Sequence, residues 1–524
     1  MSEPPPLPPL PPAIGLDLGM SYSKAAVLHG GQPKTIKDER GNSNFPTYVG
    51  FSSDPDSAVV LVGKEARDLS ALHPTNTAIG FKRLLGRAVT DPRVVNDEKY
   101  LPIELVQDEK TQLAAVRVRC KGIPTNYSPE QLMTTLTENI VENAFKSLGM
   151  PVRDAVVTVP SCFNLLQRKL VHQFCEEAGL NVLCTVNEAT AAGLAHCVEK
   201  QATFFANTTK ERNILVVNLG AGYLSVVVMG ALGNTYEVKS ISGSCDVSGS
   251  EIDHILVDYY LQELKKKIGH DVPQKKPFIR TLRLAAAAAK RKLSSSKQAT
   301  ITFQLYNCEV GISRAMLEDL CGDVFKRLMD EIEGALRSCN SGRLGLHQVD
   351  DILLVGEGSS VPKIQELIRH FFNGKELQQL SSESAARGSA LLAAVLQNRT
   401  YQLPSISSMI LKTVLPSTIS IEAPTGLVTT VISKNTKLPA KETIKVTTIT
   451  ENQKQVIVNF YEGESPVTRD NLYLGQVVLV IAAAPRGMPK ISVTVEVQWD
   501  GSVSAIVEEE ASYRKAELDV SIVS

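Results

Sequence analysis

The chain has 524 residues, of which 43% are hydrophobic and 21% charged, and its formal net charge is -1. This composition is typical of a globular protein long enough for several domains. A net charge so close to zero excludes a protein whose whole surface attracts nucleic acid or anionic lipid. We therefore expect no direct nucleic-acid partner and no membrane partner.

The cysteines and the first residues of the chain indicate the cellular compartment in which the protein works. The nine cysteines are an odd number and include no CxxC pair, so the sequence predicts neither a disulfide framework nor a zinc site. The first residues lack the basic-then-apolar order of a signal peptide, and no apolar run reaches the roughly 18 residues of a membrane helix. We expect a cytoplasmic protein.

Residues 1–12 read MSEPPPLPPLPP, which predicts an extended, disordered tail. A PxxP segment of this kind is also a ligand for SH3 or WW domains, because its polyproline conformation is already set before binding. A solvated tail is the interpretation we favour.

Two stretches of the chain share one pattern of an apolar strand, a glycine-rich turn and a second apolar strand. They are IGLDLGMSYSKAAVL, from Ile14 to Leu28, and ILVVNLGAGYLSVVV, from Ile214 to Val228. Two such hairpins facing each other across a cleft can hold the phosphates of a nucleotide. The first copy places Asp17 before its turn, whereas the second places Asn218 there, with Ser225 seven residues further on. The pattern predicts a phosphate-holding architecture that lacks part of the carboxylates that hydrolysis needs.

Apolar strands alternate with amphipathic helices over residues 13–397, which predicts a layered α/β domain. Predicted strands cover 152–161 and 182–186, residues 350–360 are predicted to be a strand ending in a turn, and predicted helices cover 165–180, 189–198 and 361–372. Residues 398–413 lack periodicity and are predicted to be an interdomain linker. Residues 414–524 contain short, β-branched, turn-bounded runs, which predict an antiparallel β-sandwich with no helical segment after it.

Many local motifs occur in the order found in one known family. They are DLGMSYS, ERGNSNFPTYVGF, NTAIGFKRLLGR, AVVTVPSCFN, NEATAAG, AKRKLSSS, FFNGKEL, NFYEGE, TRDN and APRGMPKI. With these motifs the chain resembles the 70-kDa heat-shock protein family of chaperones, from Ala13 to the end. The resemblance implies an actin-like, two-lobed ATPase domain, a linker, and a β-sandwich that binds extended peptides.

The resemblance also implies a nucleotide site for ATP or ADP, with Mg²⁺ as a possible second cofactor. The residues that match the family pattern for nucleotide binding are Asp17, Gly19, Ser21, Lys82, Glu188, Gly220, Gly222, Lys290, Arg291, Ser294 and Gly356. In the family, Asp17, Lys82 and Glu188 would hold Mg²⁺ and phosphates, and the segment from Lys290 to Ser294 would hold the adenosine. The alternative interpretation is that Asp17 and the glycines are present because the turns need them.

The departures from the family fall on its catalytic centre, whose positions here are Lys82, Asn218 and Ser225. Asn218 and Ser225 stand in place of two aspartates, Met20 and Tyr223 in place of two threonines, and Glu357 in place of a glycine. Phosphoryl transfer depends on positioning and on charge stabilisation, so losing one orienting group costs about a hundredfold or more. We expect nucleotide to be held weakly or statically, with impaired Mg²⁺ coordination and little or no hydrolysis.

The resemblance extends to the linker and the peptide groove. The family linker is a run of leucines between two aspartates, but here residues 408–413 read SMILKT, without either acid. We therefore expect the two domains to keep a fixed arrangement. The positions that match the peptide groove are Ile421, Pro424, Val446, Ile449, Val456 and Val458. Periodicity alone favours a different interpretation of these residues, as the core of the sandwich.

These departures occur together in one branch of the family, the lidless partner of a zuotin-type J-protein in the ribosome-associated complex. The resemblance implies a non-hydrolysing, chaperone-like cofactor that works with the J-protein, the ribosome, nascent polypeptide and a catalytically active relative. Two alternatives stay open. One is a divergent ATP-dependent chaperone that cycles on exposed apolar peptides, and the other is a peptide-binding scaffold unrelated to ribosomes.

Overall fold

The structure is a computed structural model that describes residues 11–54, 59–204, 210–273, 275–397 and 408–520. Most of the tail predicted over residues 1–12 and of the linker predicted over residues 398–413 lies outside the described residues. The same holds for the last four residues of the predicted sandwich.

Helices and strands alternate through about the first three quarters of the chain, to Leu396. The first part contains β1 Ile14–Leu18, β2 Tyr22–His29, β3 Gln32–Thr35, β4 Phe45–Pro46, β5 Tyr48–Phe51, β6 Val60–Val62, α1 Lys64–Leu69, β7 Thr77–Ile79, α2 Pro92–Glu98, β8 Glu104–Gln107, β9 Ala114–Cys120, β10 Ile123–Tyr127, α3 Pro129–Leu148, β11 Asp154–Val159, α4 Leu165–Glu177, β12 Asn181–Asn187 and α5 Glu188–Phe204. The second contains β13 Arg212–Leu219, β14 Leu224–Leu232, β15 Thr235–Ser244, α6 Gly249–Ile268, α7 Lys276–Ser295, β16 Gln298–Phe303, β17 Cys308–Ser313, α8 Arg314–Leu320, α9 Gly322–Arg337, β18 Asp351–Val355, α10 Pro362–Phe371, β19 Leu377–Gln379 and α11 Ser384–Leu396.

The last part of the chain is built of strands. It contains β20 Ile410–Lys412, β21 Ile419–Glu422, β22 Val428–Ile432, β23 Ala440–Val446, β24 Gln455–Glu462, β25 Leu472–Val480, β26 Ile491–Val497, β27 Val503–Glu509 and β28 Arg514–Val520. None of the helices in the described residues has both the length and the apolar character needed to cross a membrane.

Two mixed sheets form two lobes. In the first, which we call lobe I, the strand order is β12-β11-β1-β2-β3, with β4 paired to β2. In the second, lobe II, the order is β19-β18-β13-β14-β15-β20. The two predicted hairpins are β1–β2 and β13–β14, and each lies within the sheet of its lobe. The repeated sequence pattern therefore places one glycine-rich turn in each lobe.

The third unit is a β-sandwich of two antiparallel sheets, ordered β22-β21-β24-β25 and β23-β26-β27-β28. Strands β26 and β27 alternate buried and half-buried residues along their length, so one face of each packs into the core. This alternation is the pattern that the β-branched runs of the sequence predict.

The end of the predicted linker is part of lobe II. Strand β20 pairs in parallel with β15, and Lys412 lies in register with Glu237. The half-buried Leu411 packs against a core cluster of the lobe, and the backbone N–H of Ile410 donates to the carbonyl of Asn234 at 3.0 Å. The lysine is tolerated because it is exposed, whereas the leucine beside it faces the core.

The sandwich also contacts both lobes directly. Asn435 is buried, and its side chain accepts from the N–H of Ile241 at 2.8 Å and donates to Ser338 Oγ at 3.0 Å. On the other side, Glu462 Oε2 accepts from the N–H of Leu165, the first residue of α4 in lobe I, at 2.8 Å. Moving the sandwich away from the lobes would break these buried hydrogen bonds of Asn435 and Glu462. The bonds therefore favour one arrangement of the three units.

Candidate functional site

The two glycine-rich turns face each other across a cavity of about 470 Å³ between the lobes. This volume lies within the range of about 300 to 1,000 Å³ that is usual for small-molecule sites. Every residue that the family pattern assigns to nucleotide binding lines the cavity except Lys82, namely Asp17, Gly19, Ser21, Glu188, Gly220, Gly222, Lys290, Arg291, Ser294 and Gly356. Residues far apart in the sequence are thus brought together at one site.

Lys82 lies directly behind the cavity wall. Its Nζ is 3.3 Å from Glu188 Oε1, and the side chain is buried beside the rings of Phe163 and Tyr223. Tyr223, which stands where the family has a threonine, donates its hydroxyl to the carbonyl of Lys82 at 3.2 Å. Lys82 therefore does not line the cavity itself but binds Glu188, which does.

The surroundings of Gly356 and Gly222 show why glycine is needed at these two positions. Gly356 has a φ of 81°, and a Cβ there would lie 2.3 Å from the carbonyl oxygen of Leu219. A Cβ on Gly222 would lie 2.6 Å from Met20 Sδ. Gly356 is thus required by the backbone itself, whereas Gly222 makes room for the methionine of the opposite turn.

Met20 lies between the two turns. Its sulfur packs against Gly222 of lobe II and lies 3.9 Å from Ser250 Oγ, at the start of α6. A thioether is apolar and offers only a weak acceptor, whereas a threonine hydroxyl both donates and accepts. The space that the family resemblance assigns to the terminal phosphate is therefore partly filled by an apolar side chain.

The carboxylates of the cavity already have donors. Asp17 Oδ1 accepts from Thr158 Oγ1 at 2.8 Å. Glu188 accepts from Lys82 on one oxygen and from Asn218 Nδ2, at 3.1 Å, on the other. Burial raises the pKa of Glu188 above its usual range, against the opposing charge of Lys82. An aspartate at position 218 would repel Glu188, whereas the asparagine amide binds it.

These residues do not fit a magnesium ion held by Asp17 and Glu188, the pair that the resemblance suggests. Mg²⁺ requires oxygen ligands in near-octahedral geometry, but both oxygens of Glu188 face N–H donors. Within the described part of the chain, no group of three or more His, Cys, Asp or Glu side chains could hold a metal ion.

Ser225 does not face the cavity. It is fully buried, and its hydroxyl accepts from the backbone N–H of Ser161 at 3.0 Å. This bond joins β14 of lobe II to the loop after β11 of lobe I. A residue placed at the catalytic centre by the family pattern thus connects the lobes instead.

The adenosine-side residues lie on α7. Lys290 Nζ is 2.7 Å from both the carbonyl oxygen of Gly249 and Asp253 Oδ1. Arg291 and Glu357 are exposed and line both this cavity and an adjoining one around residues 38–46. Glu357 thus lies at the exposed rim of the cavity, where the two cavities adjoin.

Sequence reasoning missed Lys24. It is buried, it lines the cavity, and it pairs across the first hairpin with Asp17. The internal repeat could have pointed to Lys24, because Ser225 pairs with Asn218 in the second hairpin at the same seven-residue offset. The first hairpin has a lysine at the position that corresponds to the serine of the second.

The proposed peptide-groove residues divide into two sets. Ile421, Val456 and Val458 are buried in the sandwich core, and Val446 packs against it. Pro424 and Ile449 are exposed. The first set is arranged as the core interpretation of the pattern expects, and in this structure those side chains do not face an open groove.

The apolar side chains that β24 and β25 expose are different ones. Ile457, Val478 and Val480 point outward, and Ile457 lies opposite Val478 in the ladder. Alternation along a strand sends neighbouring residues to opposite faces, so Ile457 lies on the face of β24 opposite to that of Val456 and Val458.

Two lobes with matched phosphate-type turns around a cleft, followed by a β-sandwich, define an actin-like nucleotide-binding domain joined to a sandwich module. A family model described as Hsp70 protein matches residues 13–523. The chain therefore belongs to the Hsp70 family of chaperones.

The curated relatives agree with this assignment. Heat shock 70 kDa protein 2 of Paracoccidioides lutzii is 36% identical over 504 residues, which cover 94% of this chain and 75% of the relative. Heat shock 70 kDa protein of Neurospora crassa is 35% identical over 504 residues, covering 94% and 76%. Heat shock cognate 70 kDa protein 3 of Dictyostelium discoideum is 33% identical over 515 residues, covering 97% and 80%.

Proposed function

We propose that this Hsp70-family chain holds nucleotide without hydrolysing it and acts as a chaperone-like cofactor. In this role it works in the cytoplasm with a zuotin-type J-protein at the ribosome and helps a catalytically active relative meet nascent polypeptides. The observation that carries the proposal is the bond from the Asn218 amide to Glu188, at a position where the family has an aspartate.

Three features in and around the cavity support the absence of turnover. Asn218 has no negative charge with which to orient a metal or a nucleophilic water, and the hydroxyl of Ser225 is engaged with Ser161. Met20 fills part of the space between the turns. Since each lost orienting group costs about a hundredfold or more, the combined loss leaves little hydrolysis.

The contacts between the units support a fixed arrangement. A switching chaperone needs two arrangements of comparable free energy that ligands favour differently. Here Asn435 and Glu462 join the sandwich to both lobes through buried hydrogen bonds, and β20 is part of the lobe II sheet. A cofactor that presents one surface to a J-protein does not need a second arrangement.

Hydrolysis is tested with purified full chain, Mg-ATP and a J-domain in single-turnover assays. We expect no phosphate release above the rate without protein, with or without the J-domain. A catalytically active Hsp70 is the positive control. Release that the J-domain stimulates and that Lys82→Ala abolishes would contradict the proposal and favour a divergent ATP-dependent chaperone.

The partner assignment is tested separately, by affinity capture from cytosol at low salt. We expect a J-protein in about equal amount, together with ribosomes, and we expect both to be retained by the chain with Lys82→Ala. Capture of apolar peptides with neither partner would instead favour the scaffold without a ribosome role.

A further inference from the structure

Lys24 is a buried cation that faces the cavity. It lies on β2, directly across the hairpin from Asp17 on β1, and only 7% of its surface is exposed. Burial of an ammonium group is costly unless an opposite charge or hydrogen-bond acceptors compensate for it. The buried ammonium group of Lys24 therefore needs an opposite charge or a hydrogen-bond acceptor close to it.

The nearby carboxylates are already engaged by other groups. Glu188 accepts from Lys82 and Asn218, and Asp17 accepts from Thr158. Glu383, on the far side, accepts from Ser43 Oγ at 2.6 Å and from Thr35 Oγ1 at 2.7 Å.

The charge of Lys24 still reaches two of these acids. For both Glu188 and Glu383 burial acts to raise the pKa, and the charge of Lys24 acts to lower it. Within the described residues, however, Lys24 forms neither an ion pair within 4.0 Å nor a side-chain hydrogen bond. Lys24 lines the cavity, and within the described residues its ammonium group, with three donors, has no close protein partner.

The charges around the cavity explain what such a donor would bind. Two carboxylates, Asp17 and Glu188, face two ammonium groups, Lys24 and Lys82, so the centre of the site is close to neutral. A divalent cation gains little from a neutral site whose carboxylate oxygens already accept hydrogen bonds. An anion, in contrast, meets a buried lysine and the glycine-rich turns of both lobes.

We propose that Lys24 takes the place of the metal ion, so that this chain binds the phosphates of a nucleoside diphosphate or triphosphate directly and without Mg²⁺. The proposal rests on the nucleotide site of the proposed function and names the form of the nucleotide that the site takes. Lysine suits this role because its ammonium group is a compact charge with three donors.

The test is isothermal titration of the full chain with ADP, in Mg²⁺ and in EDTA. For the unchanged chain we expect dissociation constants that agree within about threefold in the two buffers. Hydrogen bonds to charged groups contribute enough that losing them weakens binding about tenfold or more. We therefore expect Lys24→Met to bind at least about tenfold more weakly in EDTA, with part of the affinity recovered in Mg²⁺.

A matched control is Lys34→Met on β3, the neighbouring strand, where the lysine is exposed. We expect this variant to bind like the unchanged chain in both buffers. Thermal melting shows whether Lys24→Met is folded. If it is not, the comparison of the unchanged chain with and without Mg²⁺ still shows whether ADP binding requires the metal ion.

Loss of ADP binding by the unchanged chain in EDTA would overturn the proposal, as would undiminished binding by a folded Lys24→Met or no binding in either buffer. The first two outcomes leave the proposed function intact, because hydrolysis is measured separately as phosphate release. No binding in either buffer would also contradict the nucleotide holding that the proposed function includes. A chain that binds only Mg-ADP and does not hydrolyse ATP would retain the proposed function and lose this inference.

Discussion

Replacing Arg83 with alanine is expected to lower the free energy of unfolding by about 3 to 5 kcal/mol. The guanidinium is buried, and it donates to both oxygens of Asp97, at 2.5 and 3.1 Å. It also donates to the carbonyls of Gly222 at 2.6 Å and Cys245 at 2.9 Å, both in lobe II. The substitution leaves the buried carboxylate of Asp97 without its counter-charge and removes two bonds between the lobes.

The chain offers a matched control for this measurement. Arg93 also binds an aspartate through two nitrogen atoms, Asp246 at 2.7 and 3.0 Å, but this pair is exposed. Exposed pairs contribute about 0 to 1 kcal/mol because water screens them. Urea unfolding followed by circular dichroism should therefore show a small effect of Arg93→Ala and a large effect of Arg83→Ala. Equal effects of the two substitutions would mean that burial does not increase the contribution of the Arg83 pair to the free energy of unfolding.

A double-mutant cycle separates the ion pair from the bonds between the lobes. If the unpaired carboxylate dominates the cost, Asp97→Asn should recover part of the stability lost in Arg83→Ala. If no stability is recovered, the loss comes from the bonds to Gly222 and Cys245.

Much of the fold could be predicted from the sequence because it depends on patterns that repeat locally. The two hairpins, the alternation of strands and helices, and the β-branched sandwich each have a period that matches their secondary structure. The turn glycines could be placed for the same reason, and all of the proposed nucleotide residues except Lys82 line one cavity.

The roles of particular polar residues could not be predicted in this way. Ser225 and Lys24 occupy equivalent positions of the two hairpins, but the serine is covered by the loop at Ser161 and the lysine faces the cavity. Which of these occurs depends on the element that packs against the strand, and that element lies far away in the sequence.

The sandwich and the linker differ in this respect. Periodicity alone favours the core for Val456 and Val458, and the register of β24 with its neighbours does turn them inward. Strand β20 has only three residues, and its pairing with β15 depends on the position of the whole lobe II sheet. Short segments carry too little periodicity to be assigned without their partners.

The contact between the sandwich and lobe I should depend on pH through Glu462. Its carboxyl group accepts from Leu165 at the start of α4, near Arg168. Burial raises the pKa of Glu462 to about 7, because the hydrogen bond and the arginine compensate only in part. In the unfolded chain the pKa returns to its ordinary value of about 4.5.

The sign of the effect follows from these two values. Above pH 7 both states carry the charge, and the folded state bears the cost of burying it. As the pH falls from 7 to 4.5 the folded state takes up a proton before the unfolded state does, so the stability rises by about 3 kcal/mol. Burial lowers the pKa of His172, also on α4, to about 4, so this histidine reduces the stability as the pH falls below 6.5.

Glu462→Gln isolates the contribution of the carboxyl group, because the amide oxygen still accepts from Leu165 and His172 is common to both proteins. At pH 8 we expect the variant to be more stable than the unchanged chain by up to about 3 kcal/mol, with the difference vanishing near pH 4.5. The single tryptophan, Trp499, lies on the sandwich and reports unfolding in urea by its fluorescence. The exposed Glu442→Gln is the control, with a difference that stays within about 0.5 kcal/mol at every pH. A difference for Glu462→Gln that does not change with pH would show that this carboxyl group keeps its ordinary ionisation against α4, and the contact would then be independent of pH.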